Sequence, residues 1–386
     1  FLVEIDSSYL SKNYLNKLFL NTVILSFGSA IFSAIIAVPL AILVTFYKFP
    51  GHKFFSWSLS LSIAFPAYVY AFIYVGIFEY ASPISEYLRN LNIMLPQIKN
   101  IHGASVIMSM ALFPYIFLLT KAHLRSVGIK SFNAAKSLGD NNITAIRKVI
   151  IPSLWPTIIA GMALVVFETI ADFGGVSTLR IETFTVGIYD AWFGYQSYFS
   201  ATRLAGYLLI FVFLIMFLAK YFGEKSSNLA SKTAENFQRI ETSPIVGLGV
   251  FFFCSLVFII VFCLPTTQLI IWNLSDSGSN ILSNLQLLIN SSIVGLLASV
   301  ITVFFAIALA LSYKHSNILK SSILISSSGY AIPGSVISAG LLVGVDYVFD
   351  TSITFYGIFG LIICLSLRFM TPAFNYISAS LSNISR

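Results

Sequence analysis

Nine stretches of this chain are long and apolar enough to cross a bilayer, and nothing else constrains its fold so tightly. A helix needs about 20 apolar residues to span the hydrocarbon. Such runs fall at about 21–47, 54–79, 102–121, 153–172, 203–221, 244–265, 289–312, 321–346 and 354–377. They are continuous rather than alternating in polarity, which excludes a transmembrane barrel and leaves helices as the way to satisfy every backbone polar group in lipid. The chain is 10% charged, where soluble domains carry about 25%. A soluble enzyme, a disordered tail and a nucleic-acid binder are thereby excluded. The expected fold is all-α, a polytopic membrane protein of about nine helices.

Basic residues set the orientation, because they are retained on the inner side of a membrane. With the loop from Lys48 to Lys53 inside, sixteen of the 22 Lys and Arg fall on the inner side, Arg368 among them. The six outside are Lys12, Lys17, Arg89, Lys99, Arg180 and Arg203. The net charge of +7 follows from this bias and calls for no nucleic acid. Cys254, Cys263 and Cys364 lie in apolar runs without histidines at ligand spacing, so neither a disulfide framework nor a metal site is expected.

The two halves repeat. Asn21-Thr-Val-Ile-Leu opens a helix passing through Ala37-Val-Pro39-Leu-Ala41, and Asn290-Ser-Ser-Ile-Val opens one passing through Ala306-Ile-Ala308-Leu-Ala310. Each is followed by a short basic loop and then a helix with a central proline, Pro66 or Pro333. Leu118–Leu124 pairs in turn with Asn375–Leu381. Equal loop charges give both halves one orientation, hence two tandem parallel repeats about an axis along the membrane normal. The expected organisation is a first repeat over 1–221, a polar cytoplasmic linker over 222–243 and a second repeat over 244–386.

One cytoplasmic loop carries the clearest motif. It reads Ser-Phe-Asn133-Ala134-Ala135-Lys-Ser-Leu-Gly139-Asp140, then Asn-Asn-Ile-Thr-Ala-Ile-Arg-Lys-Val149-Ile-Ile151-Pro152. A short helix with a small flat face formed by two alanines, a glycine corner that permits positive φ and a second amphipathic helix stopped at proline are expected. A protruding helix of this kind suits a groove on another protein. The pattern resembles the EAA loop of ABC-transporter permeases through Ala134, Ala135, Gly139, Val149, Ile151 and Pro152, with Asn133 where the family has an acid.

The resemblance covers almost the whole chain. Phe65-Pro-Ala-Tyr-Val, Glu168-Thr-Ile-Ala-Asp172-Phe-Gly-Gly-Val and Glu182-Thr-Phe-Thr-Val-Gly-Ile-Tyr189-Asp-Ala-Trp192 look like the ferric-iron type of binding-protein-dependent importer. In that type two fused repeats form one permease, served by a periplasmic binding protein and a separate ATPase dimer. Against that pattern, one helix is expected before Asn21, and a second coupling loop with two helices beyond Arg386.

Glu168 and Asp172, four residues apart on one helix face near its outer end, are costly in lipid and should face the bundle interior or water. Two readings stand. They line an outer gate with Phe173-Gly174-Gly175 as a flexible break, or they form a structural pair satisfied by Arg180, Arg203 or a hydroxyl. Pro66 and Pro333 are expected as kinks beside the pathway. The resemblance implies a transport subunit of a bacterial inner membrane, not an enzyme, importing ferric iron or else thiamine or another small solute. It holds no cofactor or metal of its own. The chain has no G-x-x-x-x-G-K-[ST] loop, so ATP with magnesium belongs to the partner ATPase. The rival of another class is an ion-coupled secondary transporter using Glu168 and Asp172.

Overall fold

Small residues, more than apolar ones, decide which helix faces meet. In the computed structural model, which describes residues 11–223, 239–275, 281–315, 332–338, 340–341 and 357–384, the first helix is α1 (Lys12–Phe46). It is apolar around its whole circumference, but Thr22, Ser26, Ser29, Ala30, Ser33, Ala37 and Ala41 are buried. Such a stripe lets neighbouring backbones approach closely where lipid offers no hydrophobic driving force between helices. The neighbours are α5 (Ile101–His123) and α8 (Ile151–Ala171). Ser33 Oγ donates to Ser109 O of α5 at 3.4 Å. Where α8 crosses α5, a β-carbon on Gly161 would stand 3.1 Å from Ile116 Cα.

Between α1 and α5 the chain forms a bent pair of helical segments. It comprises α2 (His52–Ser58), a 3₁₀ turn over Leu61–Ala64, α3 (Ala67–Phe78) and α4 (Pro83–Asn90). The two parts meet at 90° around Pro66. Phe65 is extended, as the residue before a proline prefers, and the Pro66 carbonyl accepts from Val69 N at 2.9 Å and Tyr70 N at 3.4 Å to begin α3. The expected kink is therefore a full break. The Pro333 carbonyl likewise accepts from Val336 N at 3.0 Å and Ile337 N at 3.1 Å, so each repeat starts a helix at its proline.

Beyond α5 the chain continues through a π turn (Leu124–Gly128) into α6 (Ile129–Ser137). After a corner come α7 (Asn142–Ala145) and a second π turn (Ile146–Ile150), which runs unbroken into α8. The expected stop at Pro152 does not occur. The bond from Ile151 N to Ile146 O widens the turn just ahead of the proline, and the helix continues through it. On the outer side follow α9 (Gly174–Thr178), α10 (Phe184–Tyr189) and a π turn (Asp190–Gly194), then α11 (Tyr198–Gly223).

The linker's far end is fixed in place. Ile240–Glu241 (β2) pairs in parallel with Tyr47–Lys48 (β1). Lys48 Nζ meets Glu241 Oε1 at 3.0 Å, and Thr242 Oγ1 donates to Lys48 O at 2.9 Å. This holds residues 240–242 beside the loop after α1. The remainder of the linker, 224–238, lies outside the described residues.

The next span is a single bulged helix: α12 (Pro244–Phe258), a π turn (Ile259–Cys263) and α13 (Leu264–Ser275). Pro265 has no N–H to offer Val261 O four residues back or Ile260 O five back. Both carbonyls are met from α3 instead. Tyr70 Oη donates to Val261 O, and Tyr74 Oη donates to Ile260 O at 2.6 Å. A helix of the second half is thereby fastened to the first.

By packing the chain divides into two compact units, Ser7–Val186 with Phe213–Ser275, and Gly187–Val212 with Asp276–Arg386. In the second, α14 (Ile281–His315) packs on α15 (Gly357–Ile384) through Ala306, Ala310, Met370 and Phe374. Among the described residues, seven helices are long and apolar enough to cross a membrane, or eight with the bent pair counted as one span. They match eight of the nine expected stretches. The ninth, 321–346, falls mainly outside the described residues. One placement is corrected: Arg368, counted with the inner loops, sits in the middle of the α15 span, Gly357–Ser378.

Candidate functional site

The corner between α6 and α7 is closed by a complete Schellman motif. Gly139 N donates to Lys136 O at 3.0 Å, Asp140 N donates to Ala135 O at 3.1 Å, and Gly139 has φ of +97°. That is the backbone geometry in which helices end on glycine. Asn141 then caps α7 by accepting from Thr144 N at 2.7 Å. The loop's inner face is held by Ile129, Phe132, Ala135, Ala145 and Ile150, all buried. Phe132 rests on Phe46 at the end of α1, with ring centroids 5.0 Å apart.

The outer face carries Asn133 and Ala134, both exposed, and Asp140, half-buried. The two alanines do not share a face, since Ala135 turns inward to the α6 anchor and only Ala134 looks outward. Val149 is half-buried, and Ile151 and Pro152 are exposed, on the helix that leads into α8. Sequence reasoning missed the residues that project furthest, Leu138 at 88% and Ile143 at 75% exposure. The available signal was two apolar residues bracketing a glycine corner in an otherwise polar loop. Two exposed apolar side chains thus stand at the tip of a two-helix corner. The arm leading to the corner is tied to α2: Lys121 Nζ at the end of α5 donates to Ser56 O, and Arg125 Nη2 in the π turn donates to Ser56 Oγ at 3.3 Å.

At the opposite end, the acids do not share a helix face. Helix α8 ends at Ala171, and Asp172 has extended backbone (ψ 129°). Its carboxylate therefore leaves the line of Glu168 and turns to α9, where Oδ2 accepts from Gly175 N at 2.8 Å and Val176 N at 3.1 Å. The Asp172 carbonyl accepts from Thr185 Oγ1 at 2.9 Å. The Asp172 carboxylate is thus engaged by two backbone amides at the start of α9. Glu168 remains half-buried on the last turn of α8.

Phe173-Gly174-Gly175 is a site of close packing. A β-carbon on Gly174 would stand 2.8 Å from Tyr68 Cβ, and one on Gly175 would stand 2.9 Å from Met108 Cε and 3.5 Å from Ala67 C. The glycines bring α9 down onto the first residues of α3, beside the Pro66 break. The segment after α9 is pinned across α1. Lys17 Nζ meets Glu182 Oε2 at 2.8 Å, Asn21 Nδ2 donates to Glu182 O at 2.9 Å, and Phe184 N donates to Thr22 Oγ1 at 3.2 Å. Pro66, Asp172, Phe173 and Gly174 thus meet in one place at the outer end of the first unit. Pro333 belongs to the other unit, beside α15.

Known proteins resemble this chain in sequence. The model of the family described as binding-protein-dependent transport system inner membrane component matches residues 33–228, which include the whole α6–α7 corner. The chain is 25% identical over 358 residues to the Fe(3+)-transport system permease protein FbpB 2 of Haemophilus influenzae, covering 89% of this chain and 66% of that protein. It is 26% identical over 155 residues to the sulfate transport system permease protein CysT of Salmonella typhimurium and to that of Escherichia coli K12, covering 40% of this chain and 55% of each. The chain thus spans just under two thirds of the iron relative and about half of the sulfate relatives. With the family match extending over half of its residues, this chain belongs to the binding-protein-dependent transport system inner membrane components.

Proposed function

We propose that the chain is the membrane-spanning part of an ATP-driven importer of ferric iron, taking its cargo from a periplasmic binding protein and its energy from an ATPase dimer in the cytoplasm of a bacterium. The observation that carries this reading is the α6–α7 corner. A Schellman-closed, internally anchored loop with Leu138 and Ile143 at its tip is built to transmit force from a docked partner. Its two arms continue through π turns into α5 and α8, so displacement of the corner moves the two helices that pack on α1. Alternating access follows as a rocking of the two repeats, 1–221 and 244–386, with Pro66 and Pro333 at the helix breaks along the path and Asp172, Phe173 and Gly174 shaping its outer end. The chain does no chemistry itself, and ATP-Mg is held by the partner.

Iron is favoured by the breadth of the match to a ferric permease, and sulfate relatives keep an oxyanion as the second cargo. The ion-coupled carrier loses support, because the Asp172 carboxylate is engaged by two backbone amides. The decisive experiment changes Leu138 and Ile143 together to Asp and follows co-purification of the ATPase from membranes. Loss of the ATPase with unchanged membrane insertion is expected. Retention of both ATPase and ATP-dependent uptake would overturn the assignment of the corner.

A further inference from the structure

Between the outer ends of α3 and α5 the chain folds back on itself around a cavity of about 510 Å³. The returning segment is fastened at both ends. Helix α4 closes in a Schellman motif, with Asn92 N donating to Arg89 O and Ile93 N to Leu88 O, both at 2.9 Å, and Asn92 at φ of +59°. Asn100 caps α5 by accepting from Gly103 N at 2.9 Å, and its side-chain amide donates to Gln97 O. Val75, Phe78, Leu95, Pro96 and Ile98 give the cavity an apolar wall, and the charged residues lining it are Glu79, Arg89 and Lys99. Lys99 Nζ stands off from Glu79 Oε1 at 3.8 Å. Arg89 lies over the Tyr80 ring, with Cζ 3.8 Å from the centroid, and Nη1 donates to Tyr80 O. Stacking and this bond fix the plane of the guanidinium while engaging one of its five N–H donors. Two cations against one carboxylate leave the cavity one net positive charge.

Helix α4 places this cavity at a lipid surface. On a helix, Ser85 and Arg89 fall on one side and Ile84, Tyr87 and Leu91 on the opposite one. Ser85 and Arg89 line the cavity, whereas Ile84, Tyr87 and Leu91 are exposed, and Met94 beyond them is 87% exposed. A short amphipathic helix with an exposed tyrosine, set at the ends of two apolar helices, suits the boundary between hydrocarbon and head groups. The phosphodiester of a glycerophospholipid lies at that depth and carries one negative charge. We propose that the cavity binds the head group of an anionic glycerophospholipid of the outer leaflet, its phosphate against Arg89 and Lys99 and the start of an acyl chain along Phe78 and Leu95. The volume is within the range of about 300–1,000 Å³ found for pockets that hold small organic ligands. An apolar wall beside a few fixed polar groups suits an amphiphile, and the net charge selects an anionic lipid over a zwitterion. The site depends on the membrane setting of the chain and not on its cargo.

A probe on the flap tests the site directly. Gln97, which is exposed and lines the cavity, is changed to Cys in the whole permease with its native cysteines replaced by Ala, and is labelled with bimane. Dioctanoyl phosphatidylglycerol, dioctanoyl phosphatidylcholine and inorganic phosphate are titrated separately into the purified protein in detergent. Phosphatidylglycerol should change the emission saturably, with a midpoint at least about tenfold below that of phosphatidylcholine, the worth of one charge-assisted hydrogen bond. Phosphate alone should change nothing. Arg89→Gln with Lys99→Gln should raise the phosphatidylglycerol midpoint by at least about tenfold, and the charge-preserving Arg89→Lys with Lys99→Arg should keep most of the affinity. No saturable response to phosphatidylglycerol, an equal response to phosphatidylcholine, or equal loss in both double variants overturns the inference. So does a response to inorganic phosphate, which would make the cavity a site for free anions. A probe that ignores the lipids but responds to the periplasmic binding protein overturns it as well, in favour of a protein-docking site.

Discussion

Replacing Tyr70 by Phe should cost about 1 kcal/mol, although the substitution removes a single oxygen. Tyr70 is fully buried on α3, and its hydroxyl meets Val261 O, a carbonyl that Pro265 leaves without its helical donor. Phenylalanine keeps the ring's packing against Phe65 (centroids 5.9 Å) and Tyr74 (6.2 Å), so the lost hydrogen bond is the whole perturbation. An unsatisfied buried acceptor costs about 1–3 kcal/mol in soluble proteins, while interhelical hydrogen bonds in membranes average about 0.6 and reach about 1.7 kcal/mol. The overlap sets the estimate, a change of roughly fivefold in the folded-to-unfolded ratio. The assay is reversible unfolding in mixed micelles with increasing SDS fraction, run as a double-mutant cycle with Pro265→Ala. That second change restores an N–H within reach of Val261 O, so Tyr70→Phe should cost less than half as much in its background. A cost below about 0.3 kcal/mol, the scatter of additivity for unconnected sites, or an equal cost in both backgrounds, would refute the link between proline, bulge and tyrosine.

Two further outcomes follow from the outer cap and the paired strands. Asp172→Ala removes the acceptor for Gly175 N and Val176 N and should cost about 0.5–2 kcal/mol, the usual loss for a helix cap. Asp172→Asn keeps an acceptor oxygen and should cost little. Hydrogen exchange of the 174–178 amides measures this, and equal exchange in all three proteins would show that the cap does not hold α9. For topology, cysteines at Tyr195, which is 61% exposed, and at exposed Ser243, in a chain without native cysteines, should react differently with an impermeant thiol reagent added outside spheroplasts. Only position 195 should label, and labelling of 243 alone would invert the orientation.

Apolar run length alone placed the spans, because the hydrocarbon's thickness imposes one length on every crossing helix whatever its neighbours. Basic residues likewise oriented them without reference to packing, and the family pattern of Ala134, Ala135, Gly139 and Pro152 located the corner that the α6 Schellman motif closes. Other features depended on partners distant in sequence. Pro66 reads the same whether it bends a helix or breaks it, and the 90° break is completed by α9 pressing Gly174 and Gly175 onto α3. Pro152 reads as a stop, yet a π turn carries the helix through it. Asp172 would share a face with Glu168 only if α8 continued, and its carboxylate is drawn out of that line by two amides beyond the helix end. Pro265 creates two orphan carbonyls whose donors lie about 190 residues away on α3. By contrast, Arg368, counted with the inner loops, already lies inside the apolar run 354–377 that the sequence alone marks as a span. A run of apolar residues reports its own transfer free energy, whereas the role of each buried polar group is set by whichever donor or acceptor folding brings to it.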